Sequence, residues 1–189
     1  MKLVKILVAS LALTTGMVFA DQAYTTFEYT NSTKRSDDTS SVKGGLVVGI
    51  KTDAGRDYSL KYESSQAEIG NGSISTGIEA RARQNFDLGT FKPYVGVRLG
   101  EKLTSTTNFA HYAIDGGIKF PIFGALSGDV GARYRNAFDS VNDFDSKRAH
   151  AAVSYAVTKK DSVALRYSKS YGADSEAKND WRLSYTHSF

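Results

Sequence analysis

The stretch WRLSYTHSF, residues 181–189, decides how the fold of this chain is interpreted. Four of its five odd-numbered positions carry aromatic or aliphatic side chains, and its even-numbered positions are all polar. A period of two is typical of a β-strand, because successive side chains of a strand point to opposite faces. The stretch therefore predicts a strand with one apolar face and one polar face.

This aromatic strand resembles the closing strand of bacterial outer-membrane barrels. The resemblance implies that Phe189 belongs to the assembly signal, which the barrel-assembly machinery of Gram-negative bacteria recognises. It also implies an outer-membrane location, in which the apolar face of every strand meets lipid and the polar face meets the lumen.

The other end of the chain predicts export. Lys2 and Lys5 precede an apolar stretch over residues 6–13, and Ala20 stands just before Asp21. A charged region, a short apolar region and a small-residue cleavage site are typical of a secretory signal peptide. We therefore expect a cleaved signal peptide before a single mature domain.

Composition is compatible with an exported barrel. There are no cysteines, so the fold depends on no disulfide or cysteine-ligated metal. A mean hydropathy of −0.33 fits a membrane barrel, because only alternate residues face lipid. After the expected signal peptide, no apolar run is long enough for a membrane helix, which leaves a closed barrel as the spanning structure. We expect a signal peptide over residues 1–20 and one transmembrane barrel domain over residues 21–189.

Alternating segments separated by polar connections predict about ten strands. Their expected ranges are 22–31, 42–51, 57–65, 74–86, 91–102, 109–120, 125–136, 147–157, 162–171 and 180–189. Tight connections alternate with longer polar ones, as periplasmic turns alternate with outer loops in bacterial barrels. The predicted fold class is all-β, a transmembrane antiparallel up-and-down β-barrel. A soluble lipocalin-like barrel is the alternative, but it would place apolar side chains inside, where this chain has to place Arg and Lys.

Aromatic residues gather near both ends of the predicted strands. On the inner side these are Phe86, Phe91, Phe120, Phe123 and Phe189. On the outer side they are Tyr29, Tyr112, Tyr134, Tyr171 and Trp181. Two such belts are typical of the two membrane–water interfaces.

The inward faces carry the candidate functional residues. By strand parity, we expect every arginine within a strand to face the lumen: Arg81, Arg83, Arg98, Arg133, Arg135, Arg148, Arg166 and Arg182. Six lysines share that face: Lys43, Lys51, Lys61, Lys92, Lys102 and Lys119. The inward acids are Glu28, Asp57, Glu63, Glu79, Asp115, Asp129 and Asp180. A tube lined with 14 bases and seven acids predicts a preference for anions, because it concentrates ions of opposite sign.

Inward glycines bear on whether the lumen is open. Their positions are Gly45, Gly49, Gly77, Gly96, Gly100, Gly117 and Gly131. Eight strands give a barrel that side chains just fill, so ten strands with inward glycines predict a wider bore. The glycines could instead relieve strand curvature, and arginines fully paired with Glu79, Asp115 and Asp129 would make a polar plug.

The chain as a whole resembles the small monomeric porins. The resemblance lies in the signal peptide, the small size, arginine-bearing strands such as GARYR at 131–135, and the end SYTHSF. That group includes channels for oligogalacturonate and sialic acid, whose lumens carry arginine tracks. It implies a monomer that passes small anionic solutes through the outer membrane. Those channels have twelve strands, whereas this chain predicts ten.

Two other function classes stay open. An enzyme would need a nucleophile or acid–base pair, and the best candidate is His111 with Asp115 on one inward face. No serine is marked out beside them, and His150 and His187 have no close ligand partners in sequence, so we assign no catalytic residue, cofactor or metal. No nucleic-acid motif is present. A plugged recognition barrel would act instead through its outer loops, on a surface partner or on lipopolysaccharide.

Overall fold

The computed structural model describes residues 22–34, 40–67, 74–104, 108–139, 145–172 and 178–189. They form ten strands: β1 Gln22–Lys34, β2 Ser40–Lys51, β3 Arg56–Ala67, β4 Ile74–Asn85, β5 Lys92–Leu103, β6 Asn108–Phe123, β7 Leu126–Ala137, β8 Ser146–Ala156, β9 Asp161–Gly172 and β10 Lys178–Ser188. All ten predicted strands are confirmed. Within these ranges, no helix is long and apolar enough to cross a membrane.

The ten strands close into one antiparallel barrel. Each strand pairs with its neighbours in sequence, and β1 pairs with β10 from Tyr24 opposite Ser188 to Lys34 opposite Lys178. Closure satisfies the backbone N–H and C=O groups that an open sheet would expose at its edges. This up-and-down barrel is the predicted fold class.

The register keeps one parity around the whole barrel, so each strand has a lumen face and an outer face. On the outer face of β10, Trp181, Leu183 and Tyr185 are exposed by 53%, 56% and 42%. Large apolar side chains are exposed in the same way on every other strand, far beyond the patches of soluble monomers. The soluble-barrel alternative is wrong, because the charged residues lie inside and the apolar ones outside.

The two rims differ as predicted. Tight turns join β2 to β3, β4 to β5, β6 to β7 and β8 to β9, and Gly55, Gly89 and Gly124 have positive φ angles within the first three of them. The longer connections on the other rim lie mostly outside the described residues, as does the predicted signal peptide. We call the turn-bearing rim inner and the opposite rim outer, following the usual orientation of bacterial barrels.

One turn is shorter than predicted. The segment from Pro121 to Gly124 was expected to connect two strands, but β6 continues to Phe123. The pairing with β7 shifts between Pro121 and Phe123, and Gly124 then turns the chain with φ 54°. Pro121 is tolerated here because a strand end at a register irregularity does not need its missing N–H.

Introducing a basic residue on the outer face would test which face of each strand meets lipid. We expect Val97→Arg or Leu165→Arg to lower the free energy of unfolding by roughly 2–4 kcal/mol if the site lies near the bilayer midplane. Both side chains are about half exposed on the outer face. Urea unfolding of the barrel in lipid vesicles would measure the effect, with Val97→Leu and Leu165→Val as controls. Wild-type stability of both arginine variants would mean that these positions do not face lipid.

Candidate functional site

The lumen face holds all eight predicted arginines. The pairing register places each of them on the face that Glu28 and Asp115 share, opposite the exposed apolar residues. The strands are longer than predicted at their outer ends, so Lys34 and Lys178 join the lumen face. With the fourteen predicted bases these make sixteen, against the same seven acids. One arginine within a strand points outward: Arg56, the first residue of β3, lay outside the strand predicted from sequence.

The largest ion-pair network centres on Asp115. Its carboxylate accepts hydrogen bonds from Arg98 Nε at 2.6 Å and from Arg83 Nη2 at 2.8 Å. Arg98 also donates to Glu79 at 2.7 Å, and Arg133 lies 4.0 Å from Glu79. This network crosses β4, β5, β6 and β7, and its Asp115 side chain is only 3% exposed.

A second network lies on the opposite wall. Glu28 is held by Lys61 at 2.7 Å and by Arg182 at 3.1 Å, and Lys61 also reaches Glu63 at 2.6 Å. These ion pairs replace the water that the buried carboxylates would otherwise need, and Arg182 also donates a hydrogen bond to Glu28. The two acids of this network therefore contribute no free negative charge to the lumen.

The three remaining inward acids are also paired. Asp57 binds Arg81 at 3.0 Å, and Asp180 binds Arg148 at 2.8 Å. Asp129 lies 3.0 Å from His150 Nε2. Arg166 is farther from Asp129, at 3.8 Å, and its side chain is 31% exposed. Every acid of the lumen face is thus neutralised within the described strands, which leaves the bases in excess.

Many of these pairs join strands that are not neighbours. Lys61 on β3 reaches Glu28 on β1 across Gly45 of β2, and a Cβ added at Gly45 would lie 3.3–3.4 Å from both side chains. In the same way Arg83 on β4 reaches Asp115 on β6 across Gly96. A small residue on the middle strand is what lets two long side chains meet over it. Sequence reasoning missed this role, although inward glycines beside oppositely charged strands were its signal.

Two tyrosines fill space above other glycines. Tyr24 lies over Gly49, where an added Cβ would come within 2.4 Å of its ring. Tyr94 lies over Gly117 and Gly131, with its hydroxyl 2.5 Å and 2.8 Å from the two Cβ positions. The prediction that inward glycines widen the bore is therefore wrong at these positions, because neighbouring aromatic side chains occupy the room they leave.

The two tyrosines also form hydrogen bonds with charged side chains of the lumen. Tyr24 donates from its hydroxyl to Asp57 at 2.7 Å. The Tyr94 hydroxyl donates to Asp129 at 3.0 Å and lies 3.2 Å from His150, three strands away. The inner half of the lumen is consequently narrow and crossed by hydrogen-bonded side chains.

Several lumen bases lie close together toward the outer rim, and three of them have no ion pair among the described residues. We define the outer lumen cluster as Lys102, Arg133, Arg135, Arg148 and Lys178, whose charges lie near one another and repel. Within the described part of the chain, no ion pair forms at Lys102, Arg135 or Lys178, and Arg135 Nε is buried without a hydrogen-bond partner. The arrangement can attract an anion that enters from the outer rim.

His111 and Asp115, the candidate acid–base pair, do not contact each other. His111 faces the lumen, but its Nε2 lies 3.6 Å from Glu79, because Asp115 is already held by two arginines. His187 faces outward near the inner rim, and its Nδ1 lies 2.8 Å from Asp161. Among the described residues no group of three His, Asp or Glu side chains is placed to bind a metal ion.

Comparison with known proteins places the fold. No protein-family model matches the chain, and no curated protein resembles it in sequence. Among solved structures, the COG4313 outer membrane channel from Pseudomonas putida F1 superposes with a TM-score of 0.60 at 10% identity, covering 89% of this chain and 95% of that one. The NanC porin gives 0.57 at 9% identity, covering 85% and 98%. The KdgM porin gives 0.50 at 16% identity, covering 87% and 99%.

The superposition covers almost the whole length of each of these neighbours, so the similarity concerns the complete barrel. One is an outer-membrane channel and two are porins, so the fold agrees with the predicted resemblance to small porins. At 9–16% identity the likeness extends to the fold and to no individual residue. The chain therefore has the fold of the small outer-membrane β-barrels.

Proposed function

We propose that this chain is a small outer-membrane channel that passively admits small, preferably anionic solutes, such as acidic sugars. The observation that carries the proposal is the imbalance of charge on the lumen face, sixteen bases against seven acids in the described strands. Because each acid is already paired, the excess positive charge is free to act on a solute. We further propose that it works as a monomer, delivered by the barrel-assembly machinery.

The outer lumen cluster supplies the anion preference. Lys102, Arg135 and Lys178 surround the outer half of the lumen from β5, β7 and β10. A ring of like charge inside a low-dielectric wall raises the local concentration of anions and opposes cations. Arginine adds a planar fork that pairs with a carboxylate through two hydrogen bonds.

Water reaches part of this face. The side chains of Arg148 and Arg166 are 21% and 31% exposed inside the barrel. Tyr24 and Tyr94 narrow the inner half, so we expect small solutes to pass and large ones to be excluded. A solved KdgM porin holds a disordered oligogalacturonate, an acidic sugar chain, which supports an anionic solute by analogy of fold.

A second candidate is a plugged recognition barrel. It is favoured by the same pairing: Asp57, Asp115, Asp129 and Asp180 are all buried and bonded across the lumen. In this alternative the polar network is a solid core and the outer loops bind the partner. Conductance distinguishes the two, because only an open tube carries current.

The test is a planar-bilayer measurement on the purified, folded barrel. We expect small single-channel currents, and a reversal potential in a salt gradient that shows anion selectivity. Selectivity should be clear near 0.1 M salt, where the Debye length is about 10 Å, and largely lost near 1 M, where it is about 3 Å.

Two matched double variants each remove two positive charges near the outer rim, one pair from the lumen face and one pair from the outer face. Arg133→Gln with Arg135→Gln should weaken the selectivity, because both residues face the lumen. Lys147→Gln with Lys169→Gln should leave it unchanged, because both lysines face outward. Arg81 and Arg83 are unsuitable, since neutralising them would leave Asp57 without its ion-pair partner and would take one of two guanidinium partners from Asp115. Silent bilayers would favour the plugged barrel, and cation selectivity would contradict the role of the excess bases.

A further inference from the structure

Three basic side chains of the described strands point outward instead of into the lumen: Arg56, Lys147 and Lys169. The two lysines lie on neighbouring strands, β8 and β9, toward the outer rim. Lys147 pairs with Tyr171, and Ala149 pairs with Lys169, so the lysines are diagonal neighbours on one face. Such neighbours have their Cα atoms roughly 7–8 Å apart.

Aromatic side chains surround the two lysines. Tyr134 on β7 and Tyr171 on β9 flank Lys147, and the Lys169 ammonium lies 5.3 Å from the centre of the Tyr171 ring. Trp181 on β10 lies on the same face. We define the lipid-facing patch as Tyr134, Lys147, Lys169, Tyr171 and Trp181. Tyrosine and tryptophan are typical of the level of lipid headgroups, so the patch lies at the outer membrane–water interface.

Within the described strands, no ion pair balances the positive charge of this patch. Neither lysine forms an ion pair in the described ranges. The outward positions nearest to them in the strands, including Asn136 and Asn179, carry no carboxylate. Two neighbouring ammonium groups beside lipid repel each other unless an anion lies between them. Several of the bases that face the lumen meet carboxylates there, whereas the described strands place no carboxylate beside these two lysines, and an anion from the membrane can supply the counter-charge.

We propose that the lipid-facing patch binds the phosphate groups of lipopolysaccharide in the outer leaflet. The lysines would hold the phosphates, and the aromatic rings would pack against the sugar and the upper acyl chains. The inference rests on membrane insertion of the barrel, as in the proposed function, but not on conduction. Lipopolysaccharide is the occupant because the patch lies at the outer rim, where this phosphorylated glycolipid is the abundant lipid of such membranes.

The chain supplies its own reporter for a binding experiment. Trp181 is the single tryptophan, and it lies within the patch, 53% exposed. Phosphorylated lipid A, the membrane-anchoring part of lipopolysaccharide, would be titrated into the detergent-solubilised barrel while Trp181 emission is followed. A base near an anionic lipid surface contributes about 1 kcal/mol, so we expect roughly five-fold weaker binding for one lysine removed and roughly thirty-fold for both.

Lys147→Gln with Lys169→Gln is the test variant, and Lys147→Arg with Lys169→Arg should retain binding. Arg56→Gln is the matched control, since it removes an outward base at the inner rim and should bind as wild type does. Wild-type affinity of the double glutamine variant, or equal affinity for dephosphorylated lipid A, would overturn the inference. Bilayer currents of the same variant should be unchanged, so loss of this site and loss of the channel give separate results.

Discussion

Replacing Asp115 by alanine is expected to destabilise the barrel by about 3–5 kcal/mol, the usual effect of removing one partner from a buried ion pair. The Asp115 carboxylate binds Arg98 at 2.6 Å and Arg83 at 2.8 Å, and its side chain is almost fully buried. Arg98 keeps Glu79 as a partner, but Arg83 loses its only ion pair among the described residues. The cost arises from this stranded guanidinium and not from lost volume.

Urea unfolding in lipid vesicles would measure the loss, with Asp87→Ala as the matched control. Asp87 also pairs with a base, Lys92 at 3.6 Å, but both side chains are more than half exposed. Pairs of that kind contribute at most about 1 kcal/mol. Adding Arg83→Met to Asp115→Ala should recover much of the loss, because the stranded charge is gone. Equal stability of the Asp115 and Asp87 variants would show that water already solvates this network.

The sequence was sufficient to predict the ten strands and the direction of their side chains. Charge within a strand determines its faces, because Arg81, Arg83, Arg133 and Arg135 cannot point into lipid without large cost. Alternation therefore specified the lumen face as well as the strands. Arg56 was missed as an outward residue because it stands at a strand end, where a base can reach the interface.

The pairing inside the lumen could not be predicted. Tyr94 and His150 lie 56 positions apart in sequence, and they meet because the register of four successive strands brings them to one height. His111 and Asp115 share a face and were the candidate pair from sequence, but the register brings two arginines to Asp115 instead. The spacing of residues within one strand contains no information on the shear of the barrel, which is the stagger between its strands. The shear decides which side chains meet across the lumen.

The role of the inward glycines could not be predicted for the same reason, because it depends on side chains of other strands. An inward glycine suggests empty space when only the sequence is known, and Gly117 and Gly131 were expected to widen the lumen. In the structure the side chain of Tyr94, on β5, occupies this space and packs over both glycines. Aromatic rings over strand glycines are a recurrent way to pin the register of a sheet.

Tyr94 is therefore the residue whose removal should change the lumen most. Its side chain is buried, its hydroxyl bridges Asp129 and His150, and the Arg83 guanidinium lies 4.0 Å from the centre of its ring. Tyr94→Ala should remove the ring over Gly117 and Gly131 and raise the single-channel conductance. The accompanying loss of stability should be at most about 3–5 kcal/mol, the range for a large aromatic residue cut to alanine.

Tyr62→Ala is the matched control, since Tyr62 is half exposed on the outer face and its removal cannot open the lumen. The two variants should lose apolar contacts in different places, but only Tyr94→Ala should carry more current. Higher conductance with retained anion selectivity would place the constriction at Tyr94 and the selectivity at the outer lumen cluster. Unchanged conductance would show that ions do not pass over Gly117 and Gly131, and that filling of the inner half does not limit the channel.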